Sequence, residues 1–167
     1  MKITLFFFIL IFITFAHPSF ALGKLGHQVV CQLAFDHLPP AKQEKISTLL
    51  KRIPNKHQRL INNFNFTKQY SQVTFANACT WADAVKRLES FRIYSTWHYM
   101  NVPRDHVSIQ ANDCNKSCLP QAILKHQQML AQTQSDANWE QIQALLFLGH
   151  WLGDIHQIGR ASCRERV

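Results

Sequence analysis

Apolar side chains recur every three to four residues through most of the chain, the spacing of one buried face of an α-helix. Between His27 and Leu38 they are Val30, Leu33, Ala34 and Leu38, and Pro39-Pro40 stops the run. Ala41 to Ile53 repeats the pattern with Ile46, Leu49, Leu50 and Ile53, ending before Pro54. Asn62 to Thr67 is polar and reads as turn. Thr74 to Phe91 predicts a helix around Trp81, Ala82 and Val85, whereas Trp97 to Pro103 reads as an irregular or extended piece closed by proline. Pro120 to Thr133 and Asn138 to His156 predict two more helices, the last capped by Asp136 or Asn138. No alternation of useful length marks a strand and no internal repeat is present, so the expected fold class is all-α.

Both ends break this rhythm. Lys2 precedes an apolar run from Ile3 to Ala16 interrupted only by Thr4 and Thr14, and Ser19 and Ala21 place small residues around a cleavage point. That is the layout of a secretory signal peptide, and the run is short for a bilayer span. Residues 1–21 are therefore expected to leave Leu22 as the first residue of a secreted or periplasmic product with no stable membrane association. At the other end, Ile158 to Val167 has no apolar period and carries Arg160, Arg164 and Arg166. This decapeptide resembles a translated sequencing adapter, so residues 158–167 are expected to be non-native and the natural chain to run on past Gln157. Residues 22–157 then form the N-terminal part of a single helical domain, expected to be monomeric.

Composition narrows the class without naming it. A length of 167 residues suits one domain with a real core. A 47% hydrophobic and 17% charged content excludes intrinsic disorder, and five glycines and six prolines exclude collagen-like chains. The full chain carries +8; without Lys2, the three terminal arginines and Glu165, residues 22–157 keep 14 basic and 9 acidic side chains, or +5. Such a surface favours a polyanionic partner. The Lys51–Arg59 cluster fits a solvated face as well as it fits a phosphate track.

Cys31, Cys79, Cys114 and Cys118 lie within residues 22–157, an even set that permits disulfides in an exported chain. Cys114–Cys118 closes a small loop and is the favoured pair. Cys31–Cys79 stays open as a second, since each lies four residues from a candidate ligand, His27 and Asp83. Thiolate ligation of zinc competes, although no second pair has zinc-finger spacing.

His150 and Asp154 stand four residues apart and leave one face of the otherwise apolar final helix. An unpaired imidazole or carboxylate there would be costly to bury, and together they suit zinc; a His–Asp hydrogen bond in a polar core is the alternative. Three further segments favour the metal: Trp81-Ala82-Asp83, Trp97-His98-Tyr99 and Gly26-His27. The α-amino group that cleavage would create at Leu22 adds a nitrogen donor five residues before His27. His37, His57, His106 and His126 lack an acidic partner at ligand spacing and are expected at the surface, with His156 behind the cluster. Asn65-Phe66-Thr67 and Asn115-Lys116-Ser117 fit glycosylation sequons.

Four segments carry a resemblance: Leu-Gly-Lys-Leu-Gly-His at 22–27, Trp-Ala-Asp at 81–83, His-Tyr-Met-Asn-Val-Pro at 98–103 and Phe-Leu-Gly-His-Trp-Leu-Gly-Asp-Ile-His-Gln at 147–157. In this order the chain is similar to the zinc-dependent S1/P1 nucleases, the mung bean nuclease type, whose fold zinc phospholipase C shares. The resemblance implies a mostly helical fold, incomplete here at the C-terminus, around a three-zinc cluster. It implies hydrolysis of phosphodiester bonds in single-stranded DNA and RNA, and removal of 3′-phosphates from nucleotides.

By the same resemblance Asp83, His98, His150 and Asp154 hold one zinc. Asp154 bridges to a second, held by His27 and the amino and carbonyl groups of Leu22, where the family usually has tryptophan. Leucine keeps the backbone donors and loses an aromatic wall. Lys86 stands where members often place an arginine that steadies phosphate charge, with Arg87 beside it; Asn101 replaces an aspartate that some members set near the attacking water. Tyr99 would stack on a base. After His-Gln the family continues Pro-Leu-His, a zinc ligand, where this chain has Ile158, Gly159 and Arg160. Ligands for two of three zinc ions are thus represented, and the chain as given is expected to be inactive or nearly so. A zinc phospholipase C and a non-catalytic secreted helical binding protein are the rival functions.

Overall fold

Prolines and capping side chains set the helix boundaries in the computed structural model, which describes residues 23–100, 102, 108, 113–114, 117–132 and 138–156. Helix α1 (Lys24–Asp36) ends just before Pro39, and α2 (Pro40–Lys51) starts on a proline whose missing N–H costs nothing in a first turn. Helix α3 (Asn55–Phe64) follows Pro54. Thr74 opens α4 (Phe75–Ala78) by accepting from the Asn77 N–H at 3.2 Å. Next come α5 (Trp81–Val85) and a 3-10 helix (Glu89–His98). Helix α6 (Leu119–Ala131) carries proline in its first turn. Helix α7 (Trp139–Ile155) is capped by Asn138, whose side-chain oxygen accepts from the Gln141 N–H at 2.9 Å. The fold is all-α, with no strand among the described residues, and no described helix is long and apolar enough to cross a membrane.

Helix α7 is the axle. It packs against α1, α5, α6 and the 3-10 helix, and it buries Ile142, Leu146, Phe147, His150 and Trp151 on different sides. A helix apolar all round belongs inside a fold. Trp81 meets Phe91 and Trp139 edge-on, and Phe147 stacks on Trp151 with ring centroids 5.2 Å apart. Each such fully buried indole contributes roughly 4–6 kcal/mol of transfer free energy at most.

Two expectations about the helices need correcting. The stretch from Asn62 to Thr67 begins inside α3, and Asn62 is fully buried. Its polarity serves the next loop: its amide donates to the carbonyls of Gln69 and Ser71 at 3.0 and 2.8 Å. The helix expected from Thr74 to Phe91 is broken into α4, α5 and the start of the 3-10 helix. The Cys79 carbonyl, which an unbroken helix would offer to the Asp83 N–H, instead accepts from His150 Nδ1 at 2.7 Å. Both disulfides are present: Cys114–Cys118 as favoured, and Cys31–Cys79, which had stayed open.

The histidines expected at the surface divide. His37 is exposed, and His106 lies outside the described residues. His57 is half-buried, accepting from the Trp81 indole N–H at 3.1 Å, and burial together with Lys56 lowers its pKa. His126 is buried outright. Its Nδ1 donates to the Ala122 carbonyl at 2.7 Å, and the Trp151 indole nitrogen lies 3.2 Å from it. Burial, opposed by that carbonyl and reinforced by Lys125, lowers its pKa to about 4.

A pH dependence follows from the unfolded value near 6.5, because between that pH and about 4 the unfolded chain binds the extra proton. Stability from a neutral His126 is therefore full above pH 6.5 and falls as the pH drops toward 4, by about 2 kcal/mol at pH 5. Urea unfolding at pH 7 and 5 should show this loss in wild type, and His126→Met should remove that part of it.

Candidate metal centre

Five ligand-type side chains from four elements converge beside α7. His27 comes from the first turns of α1, Asp83 from α5, His98 from the end of the 3-10 helix, and His150 and Asp154 from α7. Spacing of four along α7 puts His150 and Asp154 on one side. The break between α4 and α5 brings Asp83 toward them, since the Cys79 carbonyl that ends α4 is pinned to His150. That bond requires His150 Nδ1 to carry the proton and leaves the Nε2 lone pair facing inward.

Asp154 is the hub. One carboxylate oxygen, Oδ1, lies 3.4 Å from His27 Nε2. The other, Oδ2, lies 3.1 Å from His98 Nδ1 and 3.2 Å from His150 Nε2. His98 Nδ1 and His150 Nε2 are themselves 3.1 Å apart. Asp83 Oδ1 stands farther off, 4.0 Å from each of these two nitrogens, and takes an ion pair from Lys86 Nζ at 2.7 Å. Rings hold the donors in place: His27 stacks on His150 at 3.8 Å, and His98 meets Trp151 edge-on at 4.7 Å. His27 Nδ1 and His98 Nε2 are buried without a hydrogen-bond partner among the described residues.

The electrostatics favour bare carboxylates and neutral imidazole. Burial would raise the Asp154 pKa, but the imidazoles of His150, His27 and His98 around it hold it well below the ordinary carboxylate range. For Asp83 burial is likewise outweighed, by His150, Lys86 and His98, and its pKa is lowered. Burial pushes His150 down against the pull of Asp154.

These donors fit a zinc ion. Tetrahedral ligands on bonds of about 2.0 Å stand about 3.3 Å apart, and the triangle of His98 Nδ1, His150 Nε2 and Asp154 Oδ2 has sides of 3.1 to 3.2 Å. Two groups of potential ligands emerge: His27, His150 and Asp154 in one, Asp83, His98 and His150 in the other. The two oxygens of Asp154 face different imidazoles, as a carboxylate shared between two ions would.

Of the other residues singled out in the sequence, Lys86 reaches the cluster through Asp83. Arg87 is exposed one position on, Tyr99 is half-buried next to His98, and His156 is exposed at the end of α7. Leu22 and Asn101 lie outside the described residues. Sequence reasoning missed the Cys79 carbonyl, a backbone group with no sequence signal, and Gly149. A β-carbon on Gly149 would meet Cys79 Sγ at 2.5 Å and Cys31 Sγ at 3.2 Å, so only glycine lets α7 lie on the Cys31–Cys79 disulfide.

An all-α scaffold whose central helix carries a His/Asp pair in a cluster that could hold a metal ion is the class that fold and site define. The family model for S1/P1 nuclease matches residues 22–157, and the chain belongs to that family. It is similar to Endonuclease 2 of Arabidopsis thaliana, 28% identical over 163 residues, covering 89% of this chain and 49% of that protein. Endonuclease 5 of the same plant is 26% identical over 160 residues, with the same coverage. Endonuclease 4 is 27% identical over 146 residues, 81% of this chain and 43% of that protein. The chain thus spans about half the length of the curated relatives it matches.

Proposed function

We propose that the complete protein is a zinc-dependent endonuclease that cleaves phosphodiester bonds in single-stranded DNA and RNA and removes 3′-phosphates from nucleotides. The observation that carries this reading is the convergence of three imidazoles on the two oxygens of Asp154. When bound, zinc would supply Lewis-acid activation of the phosphate and of the attacking water. Asp83, His98, His150 and Asp154 would hold one ion, and Asp154 and His27 a second with the amino and carbonyl groups of Leu22. A third site would draw on residues outside this chain.

The remaining work falls to the chain's own side chains. His150, fixed by its bond to the Cys79 carbonyl, presents Nε2 without a proton. Lys86 spends one N–H on Asp83 and is nearly half exposed, so its other donors can meet a non-bridging phosphate oxygen as charge builds there. Lysine does this as a point charge; Arg87 would add a fork if it turned inward. Asn101 would orient the attacking water, and Tyr99 would stack on the base beside the scissile bond. A paired base cannot reach such a ring without leaving its stack, which supports a preference for single strands. The disulfides fit secretion.

The test is hydrolysis by the zinc-loaded complete protein of a single-stranded oligonucleotide, its duplex, a 3′-nucleotide and a phosphatidylcholine analogue. Single strand and 3′-nucleotide should be cut at least about tenfold faster than duplex, with activity lost to chelator and restored by zinc. Turnover of the lipid analogue alone would assign a phospholipase instead.

A further inference from the structure

The loop after α3 displays an aromatic ring that contributes little to the core. Phe66 is 89% exposed, with φ at 56°, in the left-handed region that residues with a β-carbon seldom enter. The loop is nonetheless firmly tied. Buried Asn62 donates to Gln69 and Ser71 and accepts from the Thr67 hydroxyl at 3.1 Å. Asn65 donates to the Ile61 carbonyl and the Thr80 hydroxyl, each at 2.8 Å, and accepts from Gln28 at 3.0 Å. Phe66 is therefore held outward, at a conformational cost, by neighbours on both sides. Strain kept by a rigid surround points to use.

Two observations identify the use. Lys24 Nζ lies 4.0 Å from the centre of the Phe66 ring, covering one face with a cation, while the ring stays open to solvent elsewhere. Lys24 also stands one helical turn before His27, and Gln28, next to His27, bonds to Asn65. The ring and its cation thus sit beside the metal centre. Exposed Lys68 and Tyr70 continue the alternation of aromatic and basic side chains along the same loop.

We infer that Phe66 and Lys24 form a subsite for an unpaired nucleotide next to the one held at the metal centre: a base stacks on the open face of Phe66 and Lys24 meets the adjoining phosphate. The inference rests on the nuclease reading above. A duplex offers no free base face, so the subsite adds to selection of single strands before any bond is cut.

The test is fluorescence anisotropy of a labelled oligo-dT on the full chain without added zinc, at low salt. Phe66→Ala should weaken binding about 5- to 150-fold, the range for losing one stacked base, and Phe66→Trp should keep it. Phe66→Gly should melt higher than wild type, because glycine accepts the backbone angle, and bind as weakly as Phe66→Ala. Equal binding by wild type and Phe66→Ala overturns the subsite and leaves the nuclease reading standing. Absence of oligo-dT binding by wild type also overturns the subsite, while the nuclease reading is decided separately by the zinc-dependent hydrolysis assay. Sedimentation with phosphatidylglycerol vesicles adds a third arm: Phe66→Ala losing vesicle binding and keeping oligo-dT binding would make the loop a lipid contact and overturn the subsite.

Discussion

Asp154→Asn is expected to lower zinc affinity more than a hundredfold, the largest effect of any side chain at the centre. All three imidazoles converge on this carboxylate, His27 on one oxygen and His98 and His150 on the other. Asparagine keeps the shape and removes the charge, and it offers one oxygen where two are needed. Residues that only support a ligand typically cost 10- to 100-fold in metal affinity, so loss of a shared ligand exceeds that range. Asp83→Asn should cost less: Asp83 stands 4.0 Å from its nearest imidazole nitrogens and already shares its charge with Lys86. Competition with a calibrated chelator measures both. Zinc held as tightly by Asp154→Asn as by wild type, or a larger loss from Asp83→Asn, would show that the ion sits elsewhere.

This ranking shows how far the sequence can be read and where it stops. The meeting of His150 and Asp154 was legible because a four-residue spacing puts two polar groups on one side of an apolar helix, where each needs a partner. Helices α1, α2, α6 and α7 were legible from apolar period, proline stops and the Asn138 cap. Helix α3 was not, because the polar stretch from Asn62 reads as turn; Asn62 is polar and wholly buried, its partners being carbonyls seven and nine residues on. Nor could composition reveal the break in Thr74–Phe91. An apolar period says which residues face inward, but the interruption depends on a carbonyl that a histidine 71 residues away takes for itself. His126 misled in the same way: no acid lies near it in sequence, and what buries it is an indole from another helix.

Gly149→Ala is the substitution that should cost the fold most for the fewest atoms. The added methyl would stand 2.5 Å from Cys79 Sγ and 3.2 Å from Cys31 Sγ, and a cross-linked sulfur cannot swing aside as a side-chain end can. Overpacking of this kind costs typically 1–3 kcal/mol and sometimes more, so about 3 kcal/mol and a fall in melting temperature of roughly 10 °C are expected. The strain has two outlets. Helix α7 can lift, which moves His150 and stretches its 2.7 Å bond to the Cys79 carbonyl, so zinc affinity falls with stability. Otherwise the disulfide fails to close, and with its cysteines 48 positions apart that forfeits about 4 kcal/mol of constraint on the unfolded chain. A double-mutant cycle separates clash from helix propensity, since alanine is by itself the better helix former. With Cys31 and Cys79 both changed to alanine the sulfurs are gone, and Gly149→Ala should become neutral or mildly stabilising. The same loss with and without the disulfide would mean that glycine is needed there for a different reason.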